Sequence, residues 1–184
     1  MIVQRPTTSR GHSVLDRRDT RHAFSFGKHY DPQWMGFGPL RVLNEDRLEP
    51  GAGFDTARHA NMELLTFVVS GELAHEDAIG GNGVVRSGEL QWLSGGHGVE
   101  HAERNASTSE PLHLLQIWIQ PSRLNHEPAY ARREAEACAG LLLLWGRPRG
   151  GELRRGLLAF TAIAVGCVPA WFLLQNDLDQ PWGY

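Results

Sequence analysis

An all-β fold is what residues 21–121 of this chain predict, on three observations. The text breaks into short runs enriched in Val, Leu, Phe and Trp, and glycine-bearing breaks recur between those runs. No stretch shows the spacing of a buried helix. Seven or eight short strands of this kind suggest a sandwich or a closed barrel.

Each candidate strand has its own warrant. Residues 22–26 alternate His22, Phe24 and Phe26 with smaller side chains, and residues 40–48 bring Leu40, Val42, Leu43 and Leu48. Residues 63–69 carry Leu64, Leu65, Phe67, Val68 and Val69. Residues 73–77 and 83–85 flank Gly80, Gly81, Asn82 and Gly83, which suit a tight hairpin with positive φ. Residues 89–93 hold Leu90, Trp92 and Leu93, and Ser94, Gly95, Gly96 and Gly98 form a second turn before residues 100–104. Residues 112–119 close the series with Leu112, Leu114, Ile117, Trp118 and Ile119. After Tyr130 the composition changes, first to a helix-like stretch with Arg132, Arg133, Glu134 and Glu136, then to a segment rich in Gly, Arg and Leu.

At 184 residues the chain can bury a real core, and 21% charged with 41% hydrophobic residues is the composition of a folded globular protein. A net charge of −3 supplies no broad positive field, so no direct nucleic-acid partner is expected. The first twenty residues contain Arg5, Arg10, Arg17 and Arg18 and no apolar run of a signal sequence, which predicts a cytoplasmic protein. Cys138 and Cys167 lack metal-ligand spacing and read as buried thiols. Residues 157–174 contain no charge, but Gly166 and Pro169 interrupt a stretch that barely reaches the length of a membrane span. Buried strands, or a cover over an open sheet, are the expected reading there.

All nine histidines precede residue 127. His101 and Glu103 are two apart on a candidate strand, so imidazole and carboxylate leave the same face. His59 stands just ahead of strand 63–69 and can face the same interior if the sheet closes. Two histidines and one carboxylate are a set suited to non-haem iron with open positions. The same spacing also suits a solvent-facing pair, and the residues alone leave both readings open. His22, His29, His75 and His113 read as hydrogen-bonded structural side chains, and His97 as a solvated turn residue. Met62, Phe67, Trp92 and Trp118 read as core or as walls of an aromatic pocket.

A longer pattern decides more. His22-Ala-Phe-Ser-Phe26, Tyr30-Asp-Pro32, Met35-Gly-Phe37, Leu40-Arg-Val42, Met62-Glu63, Ala74-His-Glu-Asp77, Gly88-Glu-Leu-Gln91, Gly98-Val-Glu-His-Ala-Glu103 and Leu112-His-Leu-Leu-Gln-Ile-Trp-Ile119 follow one another in order. This text resembles the N-terminal domain of the pirins, cupins that include bacterial quercetin dioxygenases. The resemblance implies a cupin-type, jelly-roll-like β-barrel over residues 21–130, after an N-terminal segment 1–20. It implies one divalent transition metal, Fe(II) first and Ni, Cu, Mn or Zn as alternatives, held by a His-x-His pair and a His-x-Glu pair. His101 and Glu103 match the later pair, and the earlier reads Ala57-Arg-His59, so an alanine stands where the family has its first histidine. The expected ligands are therefore His59, His101 and Glu103.

Pirins usually continue into a second cupin domain, whereas residues 131–184 are too few for one and predict a short, atypical appendage. The composition of residues 141–156 suggests translation in a shifted frame. Apolar surface left bare by the missing domain predicts self-association. The resemblance implies a metal-dependent dioxygenase acting on a flavonol such as quercetin, with Glu103 also taking the hydroxyl proton. The alternative is a catalytically impaired regulator that senses metal and binds a protein partner.

Overall fold

The computed structural model describes residues 5–135. Residues 157–174, the segment 141–156, both cysteines and Glu136 lie outside the described residues. Two compact units divide the chain at 132/133, and the account below concerns the first. No helix among the described residues is long and apolar enough to cross a membrane.

Eleven strands follow one another: β1 (Gly11–Leu15), β2 (Arg18–His22), β3 (Leu40–Leu48), β4 (Gly53–His59), β5 (Glu63–Ser70), β6 (Glu72–Asp77), β7 (Asn82–Arg86), β8 (Glu89–Ser94), β9 (Val99–Asn105), β10 (Leu112–Ile119) and β11 (Ala129–Glu134). They form two sheets, a seven-stranded one ordered β1-β2-β3-β10-β5-β8-β11 and a four-stranded one ordered β4-β9-β6-β7. Every strand pair with a resolved register is antiparallel. The double-sheet, all-β architecture agrees with the sequence reading.

Four strands differ from expectation. The run predicted at 22–26 ends at His22, and Phe26 makes only an isolated bridge to His29. β4 and β1 were not foreseen: β4 is polar, and only Gly53, Phe54, Ala57 and His59 along it are partly buried. Residues 131–134 after Tyr130 are extended rather than helical, because β11 takes the edge beside β8 and pairing overrides the helix preference of Ala, Arg and Glu there. Residues 11–20, assigned to an N-terminal segment, contribute β1 and most of β2 to the large sheet.

The turns use the chemistry their sequences offer. Asp16 and Arg17 both have positive φ, 48° and 65°, which closes β1 on β2 in two residues. Gly96 has φ 44°, and a Cβ there would collide with the His126 carbonyl, so this turn requires glycine.

The inward faces meet in two apolar clusters. Leu48, Ala52, Val68, Leu73, Val85, Leu112 and Leu114 form one, with Phe54 against it; Leu64, Leu93 and Val99 form the other, with Met62, Trp118 and Tyr130. Each fully buried leucine contributes about 1.5–3 kcal/mol. Between the clusters runs a polar row. His22 pairs with Asn44, Asn44 with Gln116, Gln116 with Thr66 and Thr66 with Gln91, across five strands, and all five side chains are buried. This row faces β9 and positions the site.

Candidate metal centre

β9 is the inner strand that carries the chemistry. Its alternation buries Val99, His101, Glu103 and Asn105 and turns Glu100 and Arg104 to solvent. His101 and Glu103 are 9% and 4% exposed, so a solvent-facing pair is ruled out.

Register fixes their neighbours. On one side Ala57 of β4 lies directly opposite His101, and Phe54 opposite Glu103. On the other, Asp77 of β6 lies opposite His101, and His75 opposite Glu103. His59, two residues beyond Ala57, brings its ring centroid to 5.0 Å from that of His101 and 4.8 Å from Trp118, edge-on at 74°. His59, His101, Glu103 and Ala57 all line one cavity of about 470 Å³. Its walls include Phe26, Phe54 and Trp118, and the volume suits a small aromatic ligand.

Glu103 crosses to the polar row of the large sheet. Its Oε1 accepts from Gln91 Nε2 and from Thr66 Oγ1 (3.4 Å), and its Oε2 accepts from Gln116 Nε2 at 3.1 Å. A carboxylate has about four lone-pair sites, so one on Oε2 is left for a ligand. Tyr130 Oη donates to Gln91 Oε1 at 3.4 Å, extending the network to β11.

His101 is the informative residue. Both of its ring nitrogens are buried without a hydrogen-bond partner. An unpaired buried donor or acceptor costs about 1–3 kcal/mol, and two on one imidazole are the pattern expected of a side chain whose partner is a bound ligand. Burial lowers the pKa of His101; Glu103 opposes the shift and His75 adds to it. Burial, followed by His101, lowers the pKa of His59, with Glu103 opposing. Both rings are thereby held in the neutral form that binds metals.

His75 occupies the other side of Glu103. Its Nε2 lies 2.9 Å from Asp77 Oδ2, its Nδ1 lies 3.8 Å from Glu103 Oε1, and its ring stacks on Tyr130 at 4.6 Å. Burial disfavours its charge, but Glu103 and Asp77 outweigh burial and its pKa is raised. Among the described residues, the donor atoms of His75, His101 and Glu103 lie within 4.8 Å of one another. His75 is absent from the cavity wall, whereas His59 is on it. Sequence reading gave His75 only a structural part; the His75-x-Asp77 spacing was the available signal, and the register opposite β9 was not.

The other histidines are engaged elsewhere: His97 is exposed and lies 3.1 Å from Glu127, and His113 lies 3.1 Å from Glu45. Of the four residues considered for an aromatic pocket, only Trp118 lines the cavity; Met62, Phe67 and Trp92 do not.

Two antiparallel sheets closed over a cavity of imidazoles and a buried carboxylate define a cupin-type barrel. The Pirin family profile matches residues 3–119, and this chain belongs to the pirin family. It is 43% identical over 155 residues to "Quercetin 2,3-dioxygenase" of Escherichia coli (strain K12), covering 84% of this chain and 67% of that protein. The crystal structure of YhhW from Escherichia coli superposes with a TM-score of 0.69 at 45% identity, over 71% of this chain and 56% of that one; YhhW, a bacterial pirin, has also been solved in complex with nickel(II). GK1651 from Geobacillus kaustophilus matches at 30% identity and a TM-score of 0.58, over 69% and 49% of the two chains. The chain thus spans about half to two thirds of the length of these relatives.

Proposed function

We propose that this chain binds one divalent transition metal, Fe(II) foremost, through His59, His101 and Glu103, and that it opens a flavonol such as quercetin by dioxygenation. The observation that carries this reading is His101, with both ring nitrogens buried and unpartnered beside His59 and the spare lone pair of Glu103. The relatives named for quercetin dioxygenation and the nickel complex support it.

In this reading His59 and His101 stay neutral and serve as ligands. Glu103 is a ligand through Oε2, oriented by Gln91 and Gln116, and accepts the flavonol hydroxyl proton on Oε1 when the long 3.4 Å bond from Thr66 gives way. Phe26, Phe54 and Trp118 stack on the planar substrate and exclude water. The bound ion would supply Lewis-acid polarisation of the substrate's oxygens. His75 positions Glu103 from behind.

Ala57 favours a second reading. It stands beside His101 where the family places a histidine, and a site short of one ligand suits a metal-sensing regulator with a protein partner. The full-length chain is expected to retain about one equivalent of metal by elemental analysis and to consume quercetin with oxygen uptake. Metal retention without turnover selects the regulator, and failure to hold any of Fe, Ni, Cu, Mn or Zn refutes both readings.

A further inference from the structure

The wall of the cavity built by β1 and β2 carries a second constellation that uses none of the three proposed ligands. Ser13 Oγ lies 2.8 Å from His22 Nε2, and His22 Nδ1 lies 3.0 Å from Asn44 Oδ1. Asn44 Oδ1 can only accept, so Nδ1 carries the ring proton and Nε2 presents its lone pair to the Ser13 hydroxyl. Asn44 and His22 are 2% and 4% exposed, while Ser13 is exposed. The His22 ring is fixed between Phe26 and His29, each at a centroid distance of 5.8 Å. Ser13 and His22 both line the cavity, together with Lys28 and the aromatic walls.

A hydroxyl, a base in hydrogen-bond reach and a buried group that orients the base are the parts of an activated nucleophile. We infer that Ser13, His22 and Asn44 form an acyl-transfer site for small aromatic esters in the mouth of the cavity. Ser13 Oγ attacks the ester carbonyl carbon while its proton passes to His22 Nε2. The ester C–O bond breaks, and the departing alcohol or phenol leaves with that proton. Water then attacks the acyl-Ser13 carbonyl, again giving a proton to His22, and release of the carboxylic acid returns the proton to Ser13 Oγ. Lys28 supplies positive charge for the oxyanion. Burial lowers the pKa of His22, against a raising contribution from Asn44, and leaves the ring in the base form at neutral pH.

The chemistry is independent of the dioxygenase reading, since it needs neither metal nor oxygen. The test uses the full-length chain with p-nitrophenyl acetate and with a fluorophosphonate probe, in the presence and absence of a chelator. A burst of p-nitrophenol is expected, together with a single labelled peptide containing Ser13. Ser13→Ala removes both, and its exposed position leaves the fold intact by circular dichroism. His22→Gln slows acylation by about 10²- to 10⁴-fold, while the chelator leaves the wild-type rate unchanged. Asn44 is a positioning residue: Asn44→Asp retains the acceptor and moves the pH midpoint of acylation upward, a shift that a merely structural role would not produce. Labelling at another serine, or a wild-type rate equal to that of Ser13→Ala, overturns the inference.

Discussion

Ala57→His tests the geometry of the site most directly. Position 57 lies opposite His101 in the β4–β9 register and on the same face as His59. Directly opposed Cβ atoms are about 4.5–5.5 Å apart, which places a new imidazole within reach of an ion shared with His101. Four-ligand structural zinc sites are worth about 10–16 kcal/mol, so one ligand is worth roughly 2.5–4 kcal/mol. Desolvating and ordering the added ring takes back about 1–2 kcal/mol. The remainder, roughly 0.5–3 kcal/mol, corresponds to metal binding about 2- to 150-fold tighter. Competition against a metallochromic chelator at fixed pH measures this with Fe(II), Ni(II) or Co(II). A variant that folds normally but binds within twofold of the parent refutes the placement of position 57 beside the ion.

The competing ligand sets separate by two further variants: His59→Ala is expected to lower metal affinity by more than about 10²-fold, and His75→Gln by a smaller factor, about 10-fold, at the low end for a residue that orients a ligand. The reverse order in the chelator assay would move the site to His75, His101 and Glu103. Because His59 and His101 have lowered pKa values, their neutral forms persist below pH 6.5; metal is expected to be retained at pH 6.5 and released only in more acidic dialysis. Asp46 is buried, which raises its pKa to about 6 against the hydrogen bond from Thr20. Its protonated form stabilises the fold at low pH, and that contribution fades as pH rises from about 3.8 through about 6, amounting to roughly 3 kcal/mol. Asp46→Asn is therefore expected to raise Tm at pH 7.5 and leave it nearly unchanged at pH 4; an equal effect at both pH values in thermal melts refutes this.

The sequence made some of this readable and left other parts out of reach. β3 and β10 were legible to the residue because Leu40, Val42, Leu43 and Leu48 mark the ends of the first and Leu112, Leu114, Leu115, Ile117 and Ile119 run the length of the second. The His101-x-Glu103 pair was legible because a strand has a period of two. β4 was not, since its inward positions are Phe54, Ala57 and His59 amid exposed polar residues, and its bulge between Phe54 and Ala57 breaks the period. The donors to Glu103 were invisible for a different reason. Gln91, Gln116 and Thr66 are brought together only by strand pairings that span long stretches of chain, and no local spacing encodes such register. Polar residues at these positions read locally as solvent-facing. The same holds for Ser13, His22 and Asn44, which meet across β1, β2 and β3.

The row from His22 to Gln91 also bears on how the barrel stays in alignment. Sliding β9 by one residue would bring Ala102 and Arg104 inward, setting a methyl group and a cation against side-chain amides and a hydroxyl that now donate to a carboxylate. Glu103 thus acts as a key that fits a single notch in the opposite sheet. Any lineage that trades away the carboxylate must recut that notch at several positions together, or lose the alignment of its two walls.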